Sequence, residues 1–308
     1  MTGDKISGLP VASEAIAGND LIAVTNVSKP GTGETQKFTR DEFLLGFYTY
    51  LCQGRLTLQS GVAISTSEQA DKTNVYFTPY NGNIIDLYDG TKWVRNTFTE
   101  LTLAVGAFTA SKPYDIYIYN NAGTLTLSGT EWTDASTRAT ALALQDGIYV
   151  KNGATTYRYL GTIYIDAEKK CQDTLLKGYV WNYYNRVLRR FYMAEITAHT
   201  YNGALRLWNN SETNNRFDII VGVADYLTIN GLARLTAGAD ASYALTYFHI
   251  DGSVSGYFFG NHNIQAVMGG SGIHIPMAAG YHYINVYETG NHDSSLFILC
   301  FTYASFMR

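Results

Sequence analysis

The chain has 308 residues and a mass of 34.1 kDa, and is 46% hydrophobic and 16% charged, with 25 Tyr and 14 Phe. That length suits two or three domains, and the balance excludes a disordered chain, which would be apolar-poor and charge-rich. A net charge of −4 argues against a general binder of phosphate backbones.

The first forty-odd residues include "KISGLPVASEAIAGNDLIAVTNVSKPGTGETQKFTRDEFL", Lys5 to Leu44. No positively charged leader precedes an apolar run, so the segment does not read as a secretory signal. It is short and broken by Gly and Pro, too marginal to hold a core alone. Asp20 to Asn26 reads as a strand, Glu34 to Thr39 as its return, and the Pro30–Gly33 stretch between them as a loop. Thr39 stands three residues before Glu42, the spacing of a helix capping box, which predicts a short helix. "KPGTGET" lacks the Gly-Lys-Ser/Thr ending of a phosphate loop.

From Gly54 to Asp166 short alternating runs are divided by Asn81-Gly82, Asp89-Gly90, Asn120-Asn121 and Asn152-Gly153, which are hairpin signals. Thr133 to Leu144 is the helix candidate there. A small antiparallel sheet with one helix lying on it is expected.

Between Lys169 and Arg190 lie Lys169, Lys170, Lys177, Arg186, Arg189 and Arg190 against Asp173 alone. The band reads as a solvated collar or a contact with an acidic neighbouring subunit before it reads as a nucleic-acid patch. Trp181, Tyr184, Leu188 and Phe191 step by 3, 4 and 3, a heptad-like seam for a trimer neck. The same stretch also reads as an aromatic strand with Tyr179, Trp181 and Tyr183 on one face, and period alone leaves both readings open. The last part, Met193 to Arg308, carries the long alternating runs "FDIIVGVADYLTI", "ASYALTYFHIDGSVSGYFFG", "AAGYHYINVYETG" and "SSLFILCFTYASFMR", with "MGGSG" expected as a turn. A two-sheet sandwich of jelly-roll type is expected, its last strand tied into the sheet. The domain boundaries are thus placed at 1–53, 54–166, 167–192 and 193–308. Cys52, Cys171 and Cys300 are far apart and show no CxxC spacing, which points to single thiols made in a reducing cytoplasm. No run approaches the about 20 apolar residues of a membrane span.

Lys5, Ile6, Ser7, Leu9, Pro10, Ala12, Asp20, Leu21, Ile22, Lys37 and Thr39 follow a K-I-S-x-L-P-x-A, D-L-I, K-x-T pattern. In this the chain resembles the short N-terminal module of tailed-bacteriophage fibre and adsorption proteins. "YDGTKW", the run from "GTEWTDASTRATALALQDG" to "GTIYI", and "WNYYNRV" are similar to a further phage-fibre segment. The final part resembles the trimeric jelly rolls of virion fibre tips by pattern alone. The resemblance implies a mainly β homotrimer: a small N-terminal anchor, an antiparallel sheet domain and a sandwich head. The anchor would dock on phage tail or capsid proteins through Ile6, Leu9, Pro10, Leu21, Ile22, Val24, Phe38 and Phe43, ordering as it docks. It implies a protein made in the bacterial host cytoplasm and carried on the virion; tail and capsid placement both stay open.

Chemistry is sparse. All six His (His199, His249, His262, His274, His282 and His292) lie from residue 199 onward, but without His-x-His, HExxH or neighbouring Cys spacing, so neither metal nor cofactor is expected. Asp218, Asp225, Asp240, Asp251 and Glu288 are carboxylates without a spacing that selects a hydrolytic pair, and Ser271 is not in a nucleophile elbow. An enzyme is therefore not expected; a capsule-degrading glycan hydrolase is the weaker alternative, and a secreted jelly-roll ligand another. Two turn-flanked stretches carry aromatic, amide and carboxylate groups suited to sugar hydroxyls: Tyr257, Asn261, His262 and Asn263, and Tyr287, Asn291, His292 and Asp293. They are the candidate receptor loops, for a bacterial surface glycan.

Overall fold

The computed structural model describes residues 21–25, 35–39, 50–212, 215–239, 242–262 and 264–308, with side chains from Tyr50 onward except those of Tyr257, Phe258 and Leu299. The chain divides into two compact units, Met1–Leu51 and Cys52–Arg308. In the first, β1 (Leu21–Thr25) and β2 (Thr35–Thr39) pair antiparallel where strands were expected, Ile22 opposite Phe38. Ile22, Val24 and Phe38 share one face of this pair by the period of two, and Leu21 lies on the other. Ile6, Leu9, Pro10, Phe43 and the helix expected after Thr39 lie outside the described residues.

The second unit opens with β3 (Gly54–Thr57), β4 (Gln69–Lys72), β5 (Asn74–Pro79), β6 (Ile84–Tyr88), β7 (Trp93–Thr97) and β8 (Leu101–Ala104). β3, β5 and β8 form one sheet, and β6 and β7 a hairpin. That hairpin turns where Asp89 accepts the Thr91 and Lys92 amides, each at 2.8 Å. Next come β9 (Lys112–Asn121), β10 (Thr124–Glu131), β11 (Leu142–Gln145), β12 (Ile148–Lys151) and β13 (Ala154–Ile165), in sheet order β10-β9-β13-β12-β11. The helix expected over Thr133–Leu144 is absent. Asp134 Oδ1 takes the amides of Ser136 and Thr137 at 2.8 Å each, closing a turn. Trp132 bridges Arg138, and Arg138 reaches the buried Asp115 at 2.7 Å. Leu142–Gln145 is then drawn into the hairpin around Asp146-Gly147.

β14 (Cys171–Asp173), β15 (Lys177–Gly178) and β16 (Val180–Asn182) follow, then β17 (Leu188–Glu195), β18 (His199–Thr200), β19 (Gly203–Leu207), β20 (Arg216–Val221) and β21 (Asp225–Thr236). β22 (Ala244–Ile250), β23 (Ser253–Asn261), β24 (Val267–Met277), β25 (Gly280–Gly290) and β26 (Leu296–Met307) complete the chain. One sheet runs β17-β26-β21-β24, and the other carries β23-β22-β25-β20. The first strand of the sandwich lies beside its last, and the hairpin β22–β23 sits opposite the long pair β21–β24. This is the jelly-roll order, and the sandwich expectation holds. Two details are corrected. "FDIIVGVADYLTI" is two strands in different sheets, broken at Gly222–Ala224. "MGGSG" lies inside β24 and is not a turn. The first strand of the sandwich, β17, starts at Leu188, five residues ahead of Met193.

Strand pairing runs across the positions 166/167 and 192/193 within the second unit. β14 pairs with β4, β15 runs parallel to β20, and both thereby extend the sheet of the sandwich. Of the two readings left open for the neck, the extended one is found: its residues sit in two strands and the turn between them. Trp181 and Phe191 are fully buried, Phe191 against Phe217, and Tyr184 is half-buried beneath Arg158. Leu188 alone of the four is exposed, at 55%. Burying such side chains contributes about 1.5–3 kcal/mol each, which here goes to the chain's own core. Among the described residues the one helical turn is Trp208–Asn210, and no helix is long and apolar enough to cross a membrane.

Candidate functional site

Ala244, at the start of β22, is register partner of both Asn261 and Gly290. That pairing brings the two stretches singled out in the sequence to the same end of one sheet. The end is closed by polar turns. Asn291 Oδ1 accepts the Tyr243 amide at 2.6 Å, His292 Nδ1 accepts the Ser294 amide at 3.1 Å, and Asn202 donates to Asp293 at 2.7 Å. Asn261 is buried, its amide donating to the Leu235 and Gln265 carbonyls at 2.7 and 2.8 Å, so it braces the loop and offers nothing to a ligand. His262 is exposed, its ring 6.2 Å from that of Tyr243. Asn263 and the Tyr257 side chain lie outside the description. Tyr287 is mid-strand and stacks on His249 with centroids 3.8 Å apart, away from the loops. The tip available to a ligand is thus Tyr243, His262, Asn291, His292 and Asp293, with Asn202. Tyr243 and Asn202 were missed, since strand pairing and not sequence proximity brings them there.

Beneath the tip, Glu288 points into the sandwich and is fully buried. It accepts from His199 Nε2 at 2.6 Å, Arg206 Nε at 2.8 Å and the Asn209 amide at 3.1 Å. His199 lies flat on Phe297 and edge-on to Trp208. Burial works against its charged form, but the bond and charge of Glu288 with the Thr197 carbonyl outweigh it, and the pKa is raised. Arg206 covers the Tyr201 ring at 3.6 Å.

The remaining candidates are dispersed. His274 stacks on Tyr226, His282 meets Asp251 at 2.7 Å, and burial lowers the pKa of His249. Asp218 is held by Arg216 and the Tyr281 hydroxyl, and Asp225 by Arg186. Every described carboxylate considered for hydrolysis is therefore engaged by a cationic or histidine partner; Asp240 lies outside the described residues. Among the described residues no three His, Cys, Asp or Glu side chains converge as metal ligands.

A second surface is the outward face of the β17-β26-β21-β24 sheet. Leu188, Ile196, Tyr226, Met268, Tyr303 and Met307 are exposed on or beside it. Tyr192, Phe301 and Tyr303 form a ridge of nearby rings, and across β21 the register places Gly270 and Gly272 opposite Leu232 and Asn230. The aromatic ridge on β26 is separated from these glycines of β24 by the Leu232 and Asn230 positions of β21, and the Asn230 side chain lies over Gly272.

No protein-family model matches the chain, and no curated protein matches it. Among solved structures it is similar to the particle protein of infectious bursal virus T=1 particles, at 12% identity and TM-score 0.30, over 84% of this chain and 71% of that one. A further neighbour is the infectious bursal disease virus Gx strain, at 10% identity and TM-score 0.27, over 84% and 73%. An insecticidal delta-endotoxin of Bacillus thuringiensis is similar at 5% identity and TM-score 0.23, over 94% and 60%. Likeness at this level carries no argument about function.

Proposed function

We propose that the chain is a virion structural protein of a bacteriophage, a homotrimeric short tail fibre attached through its N-terminal segment. Its jelly-roll head faces outward for adsorption to a bacterial surface glycan. The observation that carries this reading is the outward sheet face of the head. Its ridge of Tyr192, Phe301 and Tyr303, with Leu188 and Met307 exposed on the same two strands, presents apolar side chains that a neighbouring copy would cover. A contact of this face with a different face of the next copy is heterologous and closes as a three-membered ring where its rotation is a third of a turn, and it covers apolar side chains that a lone chain leaves in water. The phage assignment rests on the resemblance of the Lys5–Thr39 motif. A head fibre or capsid decoration trimer is the alternative on the same observations. The polar tip is suited to binding, and no hydrolysis is read into it.

Sedimentation at micromolar concentration tests the assembly. A trimer is expected, and Leu188→Glu with Tyr303→Glu should yield folded monomer, because both residues are exposed in the chain itself. A monomeric wild-type protein would overturn the reading. Deleting Met1–Phe43 should leave the trimer intact but absent from particles, and labelled protein imaged on particles separates tail from head. Release of reducing sugar from host polysaccharide would favour the hydrolase instead.

A further inference from the structure

A cleft of about 80 Å³ opens between β3, the Ala63–Ser65 loop, β14, β16 and the start of β17. Three guanidinium groups line it. Arg55 and Arg308 are 6% and 4% exposed, and Arg189 is half-buried. Arg55 Nε donates to the Ala63 carbonyl at 3.2 Å, and its Nη1 meets the main-chain oxygens of Asn185 and Arg308. Arg308 Nη1 donates to the Val180 carbonyl at 3.0 Å. Among the described residues lining the cleft, Asp173 is the one side-chain carboxylate, and its Oδ1 already takes both Arg308 Nη2 and Arg189 Nη2. Arg189 Nε is buried with no hydrogen-bond partner at all. The neighbouring Asn182 is saturated by the Leu56 main chain.

Each guanidinium offers five donors, so donors far outnumber acceptors here. Positive charge is also in excess, and an α-carboxylate at Arg308 would still leave one charge unmatched. A buried charge without a counter-charge is strongly disfavoured. The Arg55 pKa is accordingly pulled down to about 10, by burial first and by the Arg308 charge second. The space holds a few waters or one tetrahedral group, and is too small for a sugar ring.

We propose that this cleft is an oxyanion site, taking a phosphate or sulfate group between Arg55, Arg189 and Arg308, either as the free ion or as the ester of a larger molecule. Planar guanidinium forks around a compact anion are the arrangement that binds phosphate in a bidentate manner. The site lies on β3, β17 and the residue after β26, apart from the tip, and its argument is independent of the virion reading.

The test is thermal unfolding and phosphorus NMR of the full chain with inorganic phosphate, and separately with glycerol 3-phosphate, against sodium chloride at equal ionic strength. Phosphate is expected to raise Tm beyond chloride and to broaden its own resonance. Arg189→Gln should weaken that binding about tenfold, the loss of one charge-assisted hydrogen bond, while Tm in chloride stays within a few degrees. Binding of glycerol 3-phosphate as well assigns an ester ligand, and binding of phosphate alone assigns the free ion. Equal Tm in phosphate and chloride, or phosphate binding unchanged in Arg189→Gln, overturns the proposal. Resonance broadening is read on the wild type, so the outcome does not depend on a variant's folding.

Discussion

Replacing Glu288 by Gln isolates the ion cluster beneath the tip. The wild-type carboxylate accepts three bonds, two of them from cationic side chains, in a position without solvent access. Gln keeps the shape: its carbonyl can still take Arg206 and the Asn209 amide, and its NH₂ can donate to Nε2 of a neutral His199. What disappears is the charge. Bonds to charged groups contribute about 1.5–3 kcal/mol each against about 1 kcal/mol for neutral ones. The Arg206 side chain is 31% exposed and can turn to water, so its share is discounted. A loss of about 1–3 kcal/mol is expected at pH 6, and about 3–5 kcal/mol for Glu288→Ala, which strands buried charge. The sign with pH follows from His199. Its folded pKa is raised above 6.5, so its stabilising proton is fully in place below 6.5 and is lost as pH rises through the folded value. Wild-type stability should therefore fall from this source as pH rises above 6.5, and the gap to Glu288→Gln should narrow as it does so. Comparing the variant with the wild type at each pH removes the contributions of the other histidines. Urea midpoints at fixed salt give the answer. A gap that stays constant in size as pH rises would refute the reasoning.

His249 should act in the opposite direction. Burial lowers its pKa, so its contribution is intact above 6.5 and is lost as pH falls below that value, when the unfolded chain takes the proton first. His249→Phe keeps the stack on Tyr287 and should gain on the wild type as pH drops from 7 to 5; a Tm difference that does not change with pH would contradict this. At Gly222 a Cβ would come within 2.3 Å of the Trp181 ring and 2.4 Å of the Tyr159 hydroxyl. Gly222→Ala should therefore cost about 1–3 kcal/mol and shift the tryptophan emission, whereas a neutral change in chemical denaturation would mean that Trp181 is packed otherwise.

The local strand pattern was largely readable, because alternation and turn chemistry act over a few residues. Asp251 and Gly252, with φ of 52° and 78°, make the left-handed pair that closes β22 onto β23, and Asp-Gly announces it. The errors came where a local signal had two meanings. The alanines and leucines of Thr133–Leu144 fit a helix, but Asp134 captures the amides that would start one, and Arg138 has its partner in Asp115, on another strand. The glycines of "MGGSG" read as a turn because glycine permits turns. Here they permit close approach instead: a Cβ on Gly270 would stand 1.8 Å from the Gly231 carbonyl oxygen. The 3-4-3 spacing from Trp181 to Phe191 fits a helical seam as well as it fits two strands joined by a turn, which is what β16 and β17 are.

The site was less readable than the strands for one physical reason. A jelly roll pairs its first strand with its last, so β17 meets β26 across more than a hundred residues, with Leu188 opposite Met307. The ion cluster, the arginine cleft and the tip all lie on such long-range pairings. Glu288 gathers a histidine and an arginine from two other strands. Arg55 and Arg308 meet from opposite ends of the second unit, and Tyr243 joins Asn291 through the β22–β25 register. No spacing rule anticipates these meetings, because none of the residues is near its partner along the chain. Once the order of strands is known, however, each follows from alternation alone: a residue's parity in its strand decides whether it faces the core, as Glu288 does beside Val286, or the outer surface, as Tyr287 does between them. That is why a fully buried carboxylate stands directly after a half-exposed tyrosine, and why the first needs an ionic partner while the second needs none.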